Sequence, residues 1–144
     1  AVRGNPTPEP SWPRAVARRS LLRLRTASLD RLRVWRGPQW DLFSESTRET
    51  FFHNFWVVSP QSDRSGYRLS GPTLASPRVE MISEPVLPGS LQIPPNGLPI
   101  VTMPDGPTVG GYPKLGLIEP EDLATFAQSP PGTRVRFVPM AEPA

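Results

Sequence analysis

QIPPNGLPIVTMPDGPTVGGYPK, residues Gln92 to Lys114, carries Pro, Gly, Asn, Asp and Thr at a density that no packing rule demands. Gly reaches positive φ and lets another backbone or a ligand come close, whereas Pro fixes φ and removes an amide donor. A run mixing the two prescribes loop shapes around short strands. Leu91 to Ile93 and Ile100 to Met103 read as strands, with turns at Pro94-Pro95-Asn96-Gly97 and Asp105-Gly106. Upstream, SPQSDRSGYRLSGP (Ser59 to Pro72) follows the apolar run Phe55, Trp56, Val57, Val58 and ends in another Gly-Pro turn, which reads as strand, polar loop, strand.

The same reading extends outward. RLRVWR alternates, placing Leu32 and Val34 on one face of a strand that Gly37-Pro38 stops. Further strands are expected at Phe55 to Val58, Tyr67 to Leu69, Val79 to Ile82, Leu115 to Ile118 and Arg134 to Val138. Ser46 followed by Glu49 has capping-box spacing for a short helix from about Thr47 to Asn54. Pro120, Glu121 and Asp122 open a second helix, with Leu123, Phe126 and Ala127 on one face and Pro130-Pro131-Gly132 ending it. Seven or eight short strands with turn punctuation favour a barrel or sandwich.

At 144 residues the chain has room for one domain with a modest core, and its 21 prolines exclude long helices. The absence of Cys removes disulfides, thiol nucleophiles and Cys-ligated metals, and fits a reducing compartment. A single histidine, His53, removes a multi-histidine metal site. No apolar run approaches about 18 residues, so neither a membrane span nor a cleavable signal is read, and a soluble, cytoplasmic chain is expected. The net charge of +3 is uneven: residues 1–36 hold nine arginines against Glu9 and Asp30, a net +7, and the remainder carries −4. Without interleaved aromatics, Arg14, Arg18, Arg19, Arg23 and Arg25 read as a solvated segment rather than a nucleic-acid surface. Residues 1–13 are too rich in Pro and polar side chains to pack, and residues 14–29 fit a basic helix or a strand equally.

Several residues could carry chemistry. DGPTVGGYPK (Asp105 to Lys114) lacks the G-x-x-x-x-G-K-[ST] pattern and opens no helix, which excludes a P-loop. The residues alone leave two alternatives there: a β-turn with a Gly-Gly bulge, or a ligand loop in which Gly110 and Gly111 clear space beside the Thr108 hydroxyl and the Tyr112 phenol. The Gln92 amide suits a urea, lactam or ureido group, or is simply exposed, on the face opposite Leu91 and Ile93. Lys114, the sole lysine, would need a lowered pKa to act as a base or an anion to act as a charge partner. Gln61, Ser62, Asp63 and Arg64 form a polar loop in which Asp63 and Arg64 either hold a substrate carboxylate or brace the loop itself. Glu80, Glu84 and Asp105 show no spacing that fixes an acid–base pair. Trp35, Trp40, Phe43, Phe51, Phe55 and Trp56 read as core or interface aromatics.

Three blocks in order, GPQWDLFS (Gly37 to Ser44), Ser59 to Pro72 and Gln92 to Lys114, followed by PPGTRVRF (Pro130 to Phe137), resemble the family of the C subunit of bacterial 5-oxoprolinase. That family is also described as allophanate hydrolase subunit 2, or biotin-dependent carboxyltransferase-like, KipA-type. The resemblance runs from about Leu32 to Val138. It implies a mainly β protein, a cyclophilin-like barrel of short strands with two short helices, left incomplete if the family's longer N-terminal half supplies strands. The division expected is a Pro/Arg-rich tail or linker over residues 1–30 and a carboxyltransferase-like domain over residues 31–144. Weighed with the resemblance, Gln92, Lys114 and Asp105 become the catalytic candidates, and Gln61, Asp63, Arg64, Thr108, Gly110, Gly111 and Tyr112 the substrate-binding ones, with no metal. The implied function is a subunit of an ATP-dependent complex that opens 5-oxoproline to glutamate, or a related biotin-dependent carboxyltransferase acting on urea-like substrates. A further implied role is a non-catalytic module that antagonises a histidine-kinase inhibitor. No cofactor is expected to bind the chain directly; the complex uses ATP, and biotin serves the carboxyltransferase variant. The implied partners are a homologous KipI-type B subunit, the third oxoprolinase subunit and a small-molecule substrate, without nucleic acid or membrane. The family pattern has Gln where Pro107 stands, so a side-chain hydrogen bond available there in relatives is missing here.

Overall fold

The computed structural model describes residues 28–141. The alternation around Val34 produces β1 (Ser28–Arg36), in which Leu32 and Val34 face the core. Ser28 to Asp30, which composition groups with the tail, are therefore strand residues. The other expected strands form β2 (Trp56–Val58), β3 (Gly66–Ser70), β5 (Ser90–Gln92), β6 (Ile100–Thr102), β8 (Lys114–Ile118) and β9 (Arg134–Pro139). Together they close a seven-stranded barrel in the order β1-β8-β5-β6-β3-β2-β9. The β1–β9 pair is parallel and the others are antiparallel. Closure leaves no bare strand edge, so the barrel is complete within the described residues. The mainly β architecture with two short helices agrees with the expectation.

The strand expected at Val79 to Ile82 does not form. Those residues have no sheet neighbour, and Ile82 is 91% exposed. The extended segment lies just beyond, where β4 (Glu84–Pro85) pairs with β7 (Val109–Gly110) as a separate two-stranded ribbon. Strands of two residues show no alternation, which is why neither is legible in the sequence.

Helix α1 (Glu45–His53) begins two residues earlier than expected. Its cap is Ser44, not Ser46: Ser44 is extended (ψ 155°), and its Oγ accepts from the Thr47 amide at 3.2 Å. Ser46 already lies in the first turn, so Glu49 falls beyond reach of a capping box. Ser44→Ala is expected to cost about 1 kcal/mol, read from urea denaturation, because the Thr47 amide loses its acceptor. Helix α2 (Pro120–Phe126) forms as read, with Leu123 and Phe126 buried. Asp122 in its first turn ties it to β1, accepting from Arg33 Nε at 2.9 Å and from the Arg33 backbone amide at 2.8 Å.

The barrel interior is aliphatic and aromatic. Phe51 joins this core from α1, stacked on Phe137 with centroids 4.8 Å apart and edge-on to Phe52 at 4.9 Å, while its carbonyl accepts from the Trp56 indole N–H at 3.0 Å. Phe43 and Trp56 are also buried, Trp40 packs at the margin, and Phe55 is exposed beneath Arg134 and Arg136. The Pro94 to Gly97 turn closes with a 2.9 Å hydrogen bond and places Gly97 at φ +77°, where a Cβ would lie 2.4 Å from the Leu74 carbonyl oxygen. Only glycine satisfies both conditions. No helix among the described residues is long and apolar enough to cross a membrane.

Candidate functional site

Strand register builds the site on the outer face of the barrel. Arg68 on β3 and Gln92 on β5 both pair with Ile100 on β6, and Gln92 also pairs with Lys114 on β8. Cross-strand partners share a face, so Arg68, Ile100, Gln92 and Lys114 form a row across four strands, opposite the core residues Leu69, Leu91 and Val101. Gln92 does point away from the core, yet it is buried rather than exposed, because the β4–β7 ribbon covers it. A methyl group at Gly110 would sit 3.0 Å from Gln92 Oε1 and 3.0 Å from Val86 Cγ2, so the glycine is what lets the ribbon lie so close. Gln92 Nε2 donates to Thr102 Oγ1 at 2.8 Å, which fixes the amide and leaves Oε1 with no protein donor among the described residues.

Beside this amide lies a cavity of about 280 Å³. Gln92, Thr102, Arg68 and Asp63 line its barrel side, and Pro107, Gly110, Gly111 and Tyr112 its ribbon side. Five of the ten candidate residues thus converge: Asp63, Gln92, Gly110, Gly111 and Tyr112. Asp63 Oδ1 accepts from the Ser65 hydroxyl, the Ser65 amide at 2.8 Å and the Gly66 amide at 3.1 Å, and these donors hold its carboxyl below the usual carboxylate range. Asp63 therefore braces its own loop while forming one wall of the cavity.

The other five are placed elsewhere. Asp105 sits in the Met103 to Gly106 turn and lines a different cavity of about 180 Å³ with Arg64 and Tyr67. Asp63 and Arg64 therefore line different cavities. The Asp63 carboxylate turns back onto Ser65 and Gly66, its neighbour Arg64 faces the smaller cavity, and the basic residue at the main cavity is Arg68. Thr108 is exposed and uses its carbonyl to accept from the Val86 amide at 2.9 Å, and Gln61 is an exposed loop residue. Lys114 is buried, with its side chain 4% exposed, and its ammonium is bound to Glu84 Oε1 at 2.5 Å. Gln92, Asp105, Thr108 and Lys114 do not line one cavity: Gln92 lines the larger of the two, Asp105 the smaller, and Thr108 and Lys114 neither.

Glu84, weighed above only as a carboxylate without a partner, and Gln39 stand outside the ten candidates. Gln39 Nε2 donates to Glu84 Oε1 at 2.9 Å, and Gln39 Oε1 accepts from the Lys114 amide at 2.9 Å. The Lys114 ammonium, and after it the Gln39 amide, hold the Glu84 carboxyl below its ordinary value. Because Glu84 pairs with Gly110 in the ribbon, this cluster pins the cavity's roof to the barrel. Arg68, also outside the ten, leaves a local signal, standing one position before the apolar Leu69 in an alternating strand.

A larger groove of about 840 Å³ runs between β1, α1 and β9, past Trp40, Phe52, His53 and Arg136. It contains none of the ten candidates and no buried amide comparable to Gln92. His53 there is exposed.

Comparison with known proteins agrees with the fold. The family model for the carboxyltransferase domain, subdomain A and B, matches residues 4–139, reaching into the lead that the resemblance above leaves out. The chain is 40% identical over 110 residues to the 5-oxoprolinase C subunit of Escherichia coli (strain K12), covering 76% of this chain and 36% of that protein. It is 36% identical over 109 residues to the 5-oxoprolinase C subunit of Haemophilus influenzae, covering 75% and 35%. Among solved structures, the urea carboxylase of Kluyveromyces lactis superposes with a TM-score of 0.70 at 26% identity, covering 81% of this chain and 11% of that one. The chain thus spans about a third of the length of the two curated relatives.

Proposed function

The chain belongs to the carboxyltransferase domain (subdomain A and B) family, and from that premise we propose that it supplies the substrate-facing barrel of one component of an ATP-dependent 5-oxoprolinase-type complex that opens 5-oxoproline to glutamate. The observation that carries this reading is Gln92 Oε1: an oriented amide acceptor without a protein donor, beside a small cavity walled by glycine. A lactam presents an N–H to such an acceptor. Thr102 holds Gln92 in the orientation that keeps Oε1 toward Gly110, and the ribbon limits the water that reaches it. ATP is used elsewhere in the complex, by partners that include a KipI-type B subunit and a third component.

The urea-carboxylating reading has one observation in its favour, the fold shared with the Kluyveromyces lactis urea carboxylase. There the same acceptor would meet a ureido N–H of urea or of carboxybiotin, which would supply the carboxyl group and leave as biotin.

The test is reconstitution. The full chain, co-expressed with the homologous KipI-type B subunit and the third component, is assayed for ATP-dependent glutamate formation from 5-oxoproline. Gln92→Leu, which keeps volume and removes the acceptor, is expected to lower kcat/KM at least about tenfold with complex assembly unchanged. Turnover that survives this substitution overturns the placement, and assembly without any turnover favours a regulatory module.

A further inference from the structure

The row across the outer face contains two cations, and they differ in availability. Lys114 is neutralised by Glu84 at one end. Arg68, at the other end, lines the cavity, and its guanidinium forms no hydrogen bond or ion pair within the described residues. Its strand is held independently of that side chain, since its backbone amide donates to Ser62 Oγ at 2.9 Å while its carbonyl accepts from the Ser59 amide at 2.8 Å. The opposing charge beside it in the cavity wall is Asp63, whose Oδ1 is bound by three donors of its own loop and whose carboxylate the Arg68 charge also stabilises, without a direct ion pair. Two strand spacings separate Arg68 from Gln92 along the row, roughly 10 Å between backbones, with Ile100 as an apolar floor between them. Both side chains line the same cavity, so a cation and an amide acceptor face one small volume from its two sides.

We infer that Arg68 is the specificity-determining residue of this cavity, binding the carboxylate of a small lactam acid whose N–H meets Gln92. The inference rests on the lactam reading above and deepens it, because a planar guanidinium gives two parallel donors to a carboxylate and makes no contact of equal strength with a neutral carboxamide. A site that depends on this contact discriminates by charge: 5-oxoproline is accepted, and its uncharged primary amide, of nearly the same shape, binds more weakly.

The test uses the full 144-residue chain, ¹⁵N-labelled and titrated with 5-oxoproline and separately with 5-oxoprolinamide, reading the Gly110 and Gly111 backbone amide signals. Wild type is expected to bind the acid at least about tenfold more tightly than the amide. Arg68→Gln is expected to remove that preference by weakening the acid alone, Arg68→Lys to restore it in part, and Arg78→Gln, exposed and outside both cavities, to leave it intact. Equal binding of acid and amide by wild type, or a preference that survives Arg68→Gln, overturns the role of Arg68 while the lactam reading stands. Binding of neither compound overturns both.

Discussion

Phe51→Ala is expected to lower stability by about 4 kcal/mol. The side chain has no exposed surface and touches Phe52, Trp56 and Phe137, so removing it opens a cavity on three aromatic sides at once. None of those rings can collapse into the space freely. Trp56 is tethered by its indole N–H and backed by Gly71, where a Cβ would lie 2.5 Å from the indole ring, and Phe137 is fixed in β9 between two strands. A fall in Tm of ~15 °C by circular dichroism is the corresponding readout. Phe51→Leu, which refills most of the volume, should recover more than half of the loss. A fall of only a few degrees for the alanine variant would mean that the aromatic cluster is not packed as described.

Glu84→Ala is expected to cost about 3 kcal/mol at pH 7, because it leaves the Lys114 ammonium buried without a counter-charge. The double variant Glu84→Leu, Lys114→Met should be close to wild type, since the cost lies in stranding one charge rather than in losing the pair. The pH dependence has a definite sign. The folded-state carboxyl of Glu84 lies below its ordinary value of 4.5, so its contribution is fully present above that value and is lost as pH falls through the lower folded value. Urea midpoints of wild type and Glu84→Ala should therefore differ clearly at pH 7 and converge in strong acid. A difference that persists unchanged at low pH would assign the effect to lost packing instead. The same substitution should loosen the Gly110 segment, because Glu84 is its strand partner.

These residues also mark where a one-dimensional reading stops. Leu32 and Val34, or Pro120 with Leu123 and Phe126, are legible because period and capping are local properties. Gln92 is recognisable from its chemistry and its strand, and its direction away from the core follows from alternation. Its burial does not, because the cover is a ribbon of two-residue strands whose pairing partners lie 26 and 24 residues apart in the chain. Lys114 stands out as the sole lysine, but its meaning depends on Glu84 and Gln39, 30 and 75 positions away, and no spacing rule reaches that far. Arg64 and Arg68 are a different case. Both are visible, and the strand period already places Arg68 opposite Leu69, whereas the loop chemistry around Asp63 draws the assignment to the nearer arginine.

The parallel pairing of β1 with β9 sets the order in which this chain can fold. β1 is the first strand of the barrel, yet both of its neighbours, β8 and β9, come from its last quarter. During synthesis, β2, β3, β6 and β5 can assemble in that spatial order as a four-stranded antiparallel sheet while β1 waits with both edges unpaired until Lys114 and then Arg134 have left the ribosome. Ring closure over such a sequence separation is entropically slow, and the waiting strand is the part of the molecule that chaperones or like strands would capture first.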